Sequence, residues 1–241
     1  MPPARLAVLA GGLGTRMLPR TRATPKLLLP VAGRPFARWL LERVAASGFT
    51  RVVLCVGHLA SEIEAELGAR ASGVELVYSD EGDARLGTGG ALKLALPALD
   101  ATFVVTYGDS WLPFDYAAPL RDLDAHAAAE GTMSVFENAG EIEPSNVEVE
   151  GDRVVRYEKR GGDAALRFID YGAIALRREA VRALPEGAVG LDTLQSELAR
   201  RGVLRAFVAE ERFHEIGSEA GIAALEAHLV AGAVPGPSLL R

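Results

Sequence analysis

Glycines and cationic side chains cluster near the start of the chain. Gly11, Gly12 and Gly14 lie in the stretch 9–16, Arg16 ends that stretch, and Lys26 follows after Pro25. Glycines after a strand let backbone N–H groups approach phosphate oxygens, and fixed cations add charge. No acidic residue lies in 9–26 to pair with the cations. A tight turn would require the glycines but not the cations, so glycines and cations together predict a triphosphate-binding loop.

Two other phosphate motifs are excluded. A dinucleotide-binding G-x-G-x-x-G fingerprint needs a third glycine, but Gly12-Leu13-Gly14 is followed by Thr15, Arg16 and Met17. No G-x-x-x-x-G-K-[ST] string is present. A nucleotide-dependent oxidoreductase on a Rossmann sheet is therefore a weaker hypothesis than a nucleotide-transferring enzyme.

Asp109 follows a buried apolar run and Gly108. A carboxylate at the end of a strand can hold a hard cation against phosphate oxygens, and it can also cap a helix. Beside a phosphate loop on the same sheet edge, the first interpretation is favoured. Asp109 is thus a predicted Mg²⁺ ligand.

Alternating strand and helix patterns fill the first half of the chain. Apolar runs at 6–10, 51–56, 74–78 and 103–107 predict strands, and helical spacing separates them. This order predicts an α/β fold, a Rossmann-like, mainly parallel sheet flanked by helices. Ligands bind at the carboxyl ends of such strands. The segments 11–16, 87–90 and 108–110 all reach that edge.

The second half changes to a mixed-β pattern. Alternating strands at 147–150 and 153–157 flank Gly151-Asp152, which is a hairpin signal, and further strands are predicted at 168–176 and 204–208. A last helix is predicted at 219–230. We predict one domain over 1–231, with a nucleotide-binding half at about 1–130, a second half at about 131–231, and a flexible tail at 232–241.

The motifs together resemble the sugar-1-phosphate nucleotidyltransferases from residue 6 to about residue 229. The resemblance is carried by the strings LAGGLGTR at 9–16 with PK at 25–26, LGTGGAL at 86–92, GD at 108–109 and YEK at 157–159. The chain is similar to short members such as mannose-1-phosphate and D-glycero-D-manno-heptose-1-phosphate guanylyltransferases and muramate-1-phosphate uridylyltransferases. The family implies a GT-A-like nucleotidyltransferase fold, in which the second half of the chain, at about 131–231, is the sugar-phosphate-binding half.

The resemblance, together with the residue types, assigns roles along the chain. The predicted catalytic residues are Arg16, Lys26 and Asp109. The predicted nucleotide-binding residues are Leu9, Ala10, Gly11, Gly12, Gly14, Thr15, Arg16, Gly87, Thr88, Gly89 and Gly108. The predicted sugar-phosphate-binding residues are Asn146, Glu158, Lys159, Asp170, Tyr171 and Gly172. The predicted metal ligands are Asp109 and Glu215. Trp111 and Tyr116 either line the same cleft or pack in the core.

Three positions depart from the family pattern. Glu215 stands where the family has its second metal-binding aspartate. Asp170-Tyr171 replaces an asparagine-containing sugar contact, and Ser145-Asn146-Val147 replaces Tyr-Gly-Val. Because two departures fall in the sugar half, the sugar of a relative does not transfer to this chain.

Composition narrows the class of protein. The net charge of -6, without a basic stripe, disfavours a nucleic-acid-binding module. No apolar stretch approaches a membrane span. The single cysteine, Cys55, lies in an apolar run, predicting a buried thiol and a reducing, cytoplasmic setting. Apolar residues at 225–240 hint at a homo-oligomer.

The predicted reaction is transfer of a nucleoside monophosphate from a nucleoside triphosphate to a sugar 1-phosphate, with Mg²⁺ and release of pyrophosphate. The branch resemblance favours GTP with a mannose- or heptose-type 1-phosphate. The alternatives are uridylyl, thymidylyl or cytidylyl transfer to another sugar 1-phosphate, and a non-catalytic nucleotide-sugar-sensing regulatory subunit.

Overall fold

The computed structural model describes residues 4–138, 142 and 144–233 of the 241. The strands, in chain order, are β1 (Ala4–Leu9), β2 (Pro30–Val31), β3 (Arg34–Pro35), β4 (Arg51–Val56), β5 (Arg70–Ala71), β6 (Val74–Asp80), β7 (Leu99–Tyr107), β8 (Ser110–Trp111), β9 (Gly131–Glu137), β10 (Val147–Glu150), β11 (Arg153–Tyr157), β12 (Phe168–Arg177), β13 (Leu204–Val208) and β14 (His214–Glu215). The α-helices are α1 (Phe36–Ala46), α2 (Ala60–Leu67), α3 (Gly87–Ala95), α4 (Ala118–Ala125), α5 (Arg178–Arg182), α6 (Leu191–Arg200) and α7 (Glu219–Ala233).

Ten of these strands form one central sheet in the order β10-β11-β13-β9-β12-β7-β1-β4-β6-β5. Its middle is parallel, because β1 pairs in parallel with β4 and β7, and β4 with β6. β12 runs antiparallel to both β7 and β9, so it joins the two halves of the chain. The predicted α/β fold, with a central sheet and flanking helices, is confirmed. The mixed-β strands of the second half extend the same sheet.

Each face of the sheet carries its own apolar core. Along β1, Leu6 and Val8 belong to one core, whereas Ala7 and Leu9 belong to the other, because successive side chains point to opposite faces. Residues of α1 and α2 pack in the first core, and residues of α3 and α6 pack in the second. This two-sided burial explains why the central strands read as continuous apolar runs.

Most of the predicted strands lie within two residues of their predicted bounds, but β7 begins at Leu99, four residues before the predicted start, and β9 has no counterpart among the predicted strands. Helix α3 begins at Gly87, so the glycine cluster at 87–90 forms its first turn. The last helix extends past the predicted end at residue 230 to Ala233. The rest of the predicted tail, 234–241, lies outside the described residues.

Cys55 is buried, as predicted, with 1% of its surface exposed. Burial, with the nearby negative charge of Glu81, raises the pKa of its thiol to about 12. Within the described residues, no helix is long and apolar enough to cross a membrane.

Candidate active site

The phosphate loop leaves β1 and is held in place by two neighbours. The Ala10 N–H donates to the Cys55 carbonyl of β4 at 2.8 Å. Gly14 adopts φ +61°, and the hydroxyl of buried Thr21 donates to its carbonyl at 2.8 Å. A Cβ added at Gly14 would lie 2.9 Å from Thr21 Cγ2. Glycine is therefore needed at 14 both for the left-handed backbone and for this close approach.

Lys26 meets Asp109 across the end of the sheet. The two side chains are only 14% and 27% exposed, and Lys26 Nζ lies 2.5 Å from Asp109 Oδ2. Gly108 allows this proximity, because its N–H donates to the Leu9 carbonyl and an added Cβ would lie 3.0 Å from that oxygen. No acidic residue lies near Lys26 in the sequence, and its partner Asp109 comes from the turn that follows β7.

A two-stranded ribbon carries Glu215 to the same place. β14 pairs antiparallel with β8, so that Glu215 stands opposite Ser110, and the Ile216 N–H donates to the Asp109 carbonyl at 2.9 Å. Gly217, which follows Ile216, lies beside the two cations, because a Cβ added to it would lie 3.4 Å from both Arg16 Nη2 and Lys26 Nζ. The structure thus brings Arg16, Lys26, Asp109 and the Glu215 strand together.

The second glycine cluster serves mainly close packing. The N–H groups of Gly89 and Gly90 donate to the Val189 carbonyl, and a Cβ at Gly87 would lie 2.8 Å from the same oxygen. Thr88 Oγ1 accepts the Leu191 N–H at 2.8 Å, joining the first turns of α3 and α6. Gly89 does not line the adjacent cavity, which Gly87 and Thr88 do. Gly89 therefore packs against the loop before α6, and its contact with a nucleotide stays a prediction.

A cavity of about 690 Å³ opens at the carboxyl edge of the parallel strands. This volume is in the range of small-molecule sites. The predicted residues that line it are Leu9, Ala10, Gly11, Gly12, Gly14, Thr15, Arg16, Lys26, Gly87, Thr88, Gly108 and Asp109. The lining residues that sequence reasoning missed include Gly57, His58, Glu81 and Arg85. The rule that ligands bind at the carboxyl ends of parallel strands could have identified them, because they follow β4 and β6.

The residues predicted to bind the sugar phosphate lie outside this cavity but form a connected group. Asn146 Oδ1 accepts the Asp170 N–H at 2.8 Å, and the Asn146 carbonyl accepts the Glu158 N–H at 2.9 Å. Lys159 Nζ lies 2.8 Å from Asp192 Oδ1 at the start of α6. A Cβ at Gly172 would lie 3.5 Å from Ser110 Oγ. The group therefore adjoins the residue that follows Asp109.

Asp170 is the most buried carboxyl of this group. Its Oδ2 accepts from Gln195 Nε2 at 2.8 Å, and its Oδ1 accepts the Gly172 N–H at 3.0 Å. Burial raises the pKa of Asp170, against these hydrogen bonds, which lower it. Burial and the nearby Asp170 raise the pKa of Tyr157 as well.

The side chain of Tyr171 lies in the core and not in the cleft, so its position does not support the predicted contact with the sugar. Its ring is fully buried, and the ring centroid lies 5.0 Å from that of Phe114 and 5.6 Å from that of Phe213. Among the residues that the structure describes, its hydroxyl has no hydrogen-bond partner. Side chains alternate along β12, so the strand that aims Asp170 one way turns Tyr171 to the other face. Trp111 and Tyr116 are also buried, which favours packing.

Comparisons with known proteins agree on one family. The family described as Nucleotidyl transferase matches residues 6–146. The chain is 33% identical to the N-acetylmuramate alpha-1-phosphate uridylyltransferase of Caulobacter vibrioides, over 92% of this chain and 95% of that protein. It is 31% identical to the mannose-1-phosphate guanylyltransferase of Mycobacterium tuberculosis, over 96% and 66% respectively. HddC from Yersinia pseudotuberculosis has a similar fold, with a TM-score of 0.78, 22% identity, and 94% and 99% coverage.

Proposed function

Because the chain belongs to the nucleotidyl transferase family and is a sugar-1-phosphate nucleotidyltransferase, we propose that it joins a nucleoside triphosphate to a sugar 1-phosphate in the cavity above β1 and β7. The products are a nucleotide sugar and pyrophosphate. The observation that carries this proposal is the convergence of Arg16, Lys26 and Asp109 at one end of the cavity.

The residues present fit a magnesium ion. Mg²⁺ is held by one or two carboxylates together with water and substrate phosphates. Asp109 Oδ2 contacts Lys26, while its Oδ1 has only a 3.4 Å contact with Ser110 Oγ. Asp109 and Glu215 would supply two carboxylates, so water and substrate phosphates would complete the coordination of the ion. The described part of the chain contains no group of three or more side chains that could hold a metal without such help. When bound, the ion would neutralise charge on the triphosphate.

The chemistry requires positioning more than proton transfer. A sugar phosphate oxygen is already an anion near neutral pH, so it attacks the α-phosphorus in line with the departing pyrophosphate and needs no general base. The barrier comes from bringing two polyanions together and from charge on the leaving group. Arg16 would stabilise the triphosphate, and Lys26, held by Asp109, would bind phosphate near the attacked centre.

The sugar phosphate would occupy the group formed by Asn146, Glu158, Lys159, Asp170 and Gly172. Carboxylates there accept hydrogen bonds from sugar hydroxyls, and Lys159 offers a cation to the phosphate. Lys159 is well exposed beside Asp192, so it is free to turn toward an anion that enters the cleft.

For the substrate pair, we propose GTP with a mannose- or heptose-type 1-phosphate. The relative from Mycobacterium tuberculosis, similar over nearly the whole chain, supports the guanylyl reaction. The relative from Caulobacter vibrioides supports uridylyl transfer as the second candidate, and thymidylyl and cytidylyl transfer remain further alternatives. A regulatory subunit that only senses nucleotide sugars would have no need of all four of Arg16, Lys26, Asp109 and Glu215.

Pyrophosphate release tests the proposal. The purified protein, with Mg²⁺, is assayed with each common nucleoside triphosphate against mannose, glucose, galactose, N-acetylglucosamine, muramate and heptose 1-phosphates. Release that requires one particular pair supports catalysis and names the substrates. Triphosphate binding without release from any pair favours the sensing subunit.

A further inference from the structure

Lys159 is one of three lysines in the chain, and each of the three contacts a partner from another segment. Lys26 contacts Asp109, and Lys93 donates to a backbone carbonyl after α5. The ammonium of Lys159 lies 2.8 Å from Asp192 Oδ1, in the first turn of α6. Asp192 is therefore related to Lys159 as Asp109 is related to Lys26, by an ion pair that joins two separate loops.

The carboxylate of Asp192 occupies space that a glycine leaves open. Gly190 precedes α6 with an extended backbone, φ −79° and ψ 151°, which suits any residue. The three atoms nearest to a Cβ added at Gly190 are Cγ, Oδ1 and Oδ2 of Asp192, and Oδ1 would overlap with it. A methyl group at this position would therefore displace the carboxylate that contacts Lys159.

The first turn of α6 is also joined to the nucleotide cavity. The Leu191 N–H donates to Thr88 Oγ1 at 2.8 Å, and Thr88 lines the cavity. Burial raises the pKa of Tyr107, which lines the cavity as well, and the charge of Asp192 is among those that add to this effect. Lys159, in contact with Asp192, thus stands at the border between the cavity and the residues predicted to bind the sugar phosphate.

We propose that Asp192 is a positioning residue, which keeps the ammonium of Lys159 at this border so that it meets the phosphate of the sugar 1-phosphate. The inference rests on the proposed function, because it takes a sugar 1-phosphate as the second ligand. An ammonium has three N–H donors, so the one given to Asp192 leaves two for phosphate oxygens. The side chain of Lys159 is 66% exposed on a flexible stem, and Asp192, only 29% exposed, limits how far it can turn.

Acetylation of the lysines measures binding at Lys159. With Mg²⁺ and each common nucleoside triphosphate, the sugar 1-phosphates of the pyrophosphate-release panel are titrated, and mass spectrometry follows the rate at which sulfosuccinimidyl acetate modifies Lys159. We expect at least one sugar 1-phosphate to slow this modification. In Asp192→Asn, the concentration for half-maximal protection should rise about 3- to 10-fold, as for the loss of one partly exposed charge contact. Gly190→Ala, which keeps the charge but displaces the carboxylate, should act in the same direction.

A purely structural role of Asp192 predicts a different result. If Asp192 only held the first turn of α6, its loss would also disturb Thr88 and weaken triphosphate binding. We expect instead that the Kd of the triphosphate, measured by calorimetry, is the same in the wild type and in Asp192→Asn. Glu197→Gln is the matched control, because this carboxylate of α6 pairs with Arg200 at the surface, and its protection curve should equal that of the wild type.

Three results overturn the inference. No sugar 1-phosphate of the panel slows the acetylation of Lys159 in the wild type, or a folded Asp192→Asn keeps the wild-type concentration for half-maximal protection, or its triphosphate Kd rises by the same factor. Protection needs no turnover. Absence of pyrophosphate release therefore counts against the proposed function alone, and a selective loss of protection in Asp192→Asn still supports the positioning role.

Discussion

Lys26 Nζ lies 2.5 Å from Asp109 Oδ2, which joins the phosphate loop to the end of β7. The two residues are far apart in sequence, and the contact is partly buried. A charge-assisted hydrogen bond in such surroundings holds both groups at one separation. The cation that would bind phosphate and the carboxylate that would bind metal are thus positioned by each other.

Loss of either carboxylate that is proposed to bind Mg²⁺, Asp109 or Glu215, should raise the Mg²⁺ concentration that the reaction needs. We expect Asp109→Asn to increase the Mg²⁺ concentration for half-maximal pyrophosphate release by at least about 10-fold, because a neutral amide is a poorer ligand for a hard cation. Glu215→Gln should act in the same direction. Glu219→Gln, which alters only an exposed pair with Arg20, is the control. An unchanged Mg²⁺ dependence in Glu215→Gln would remove Glu215 from the metal site.

Arg16→Ala should slow the chemical step more than it weakens binding. Removal of one electrostatic donor of this kind typically costs ~10²–10³ in rate, so kcat should fall by that amount with a smaller change in KM. Arg22→Ala, an exposed cation of the same loop, should keep kcat near the wild-type value. Steady-state kinetics of both folded variants make the comparison, and an unaltered kcat in Arg16→Ala refutes the role.

Tyr171→Phe should leave the KM for the sugar phosphate unchanged. The variant removes a buried hydroxyl that has no partner in the described part of the chain, so the free energy of unfolding should stay equal or rise by up to about 1 kcal/mol. Tyr78→Phe is the contrast, since the Tyr78 hydroxyl donates to the Gly68 carbonyl at 2.6 Å and its loss should lower stability. Urea unfolding and sugar-phosphate kinetics test both. An increase in the KM for the sugar phosphate in Tyr171→Phe would instead support the predicted contact between Tyr171 and the sugar.

Cys55 should resist alkylation in the folded protein. Burial and Glu81 raise the pKa of its thiol to about 12, so the protonated, unreactive form prevails below that pH, and reactivity should increase only as the pH approaches it. Unfolding returns the pKa to its ordinary value and exposes the sulfur. Iodoacetamide labelling at pH 8, followed by mass spectrometry with and without urea, measures the difference. Equal rates in the two conditions would contradict the burial of Cys55.

Local patterns in the sequence were sufficient for the parallel strands of the central sheet and for locating the candidate phosphate site, but not for β9. The apolar runs of β1, β4 and β7 are continuous because these strands are covered on both faces, and their carboxyl ends define a ligand edge in any parallel sheet. The glycines at 11–14, with Arg16 and Lys26, are a short-range signal. They needed only their position after β1 to be assigned to phosphate binding.

Contacts between distant segments decided the rest. The pairing of β14 with β8 beside Asp109, the partner of Lys26 and the partner of Lys159 all depend on how separate loops pack. Tyr171 shows that a motif match can place a residue near a site without placing its side chain there. The pleat of β12 and the surrounding core decide which face of the strand each side chain occupies. The periodicity of apolar residues is a local property, so strands and helices can be predicted from the sequence. The orientation of loops and side chains toward each other depends on contacts between distant segments, so only the tertiary structure decides it.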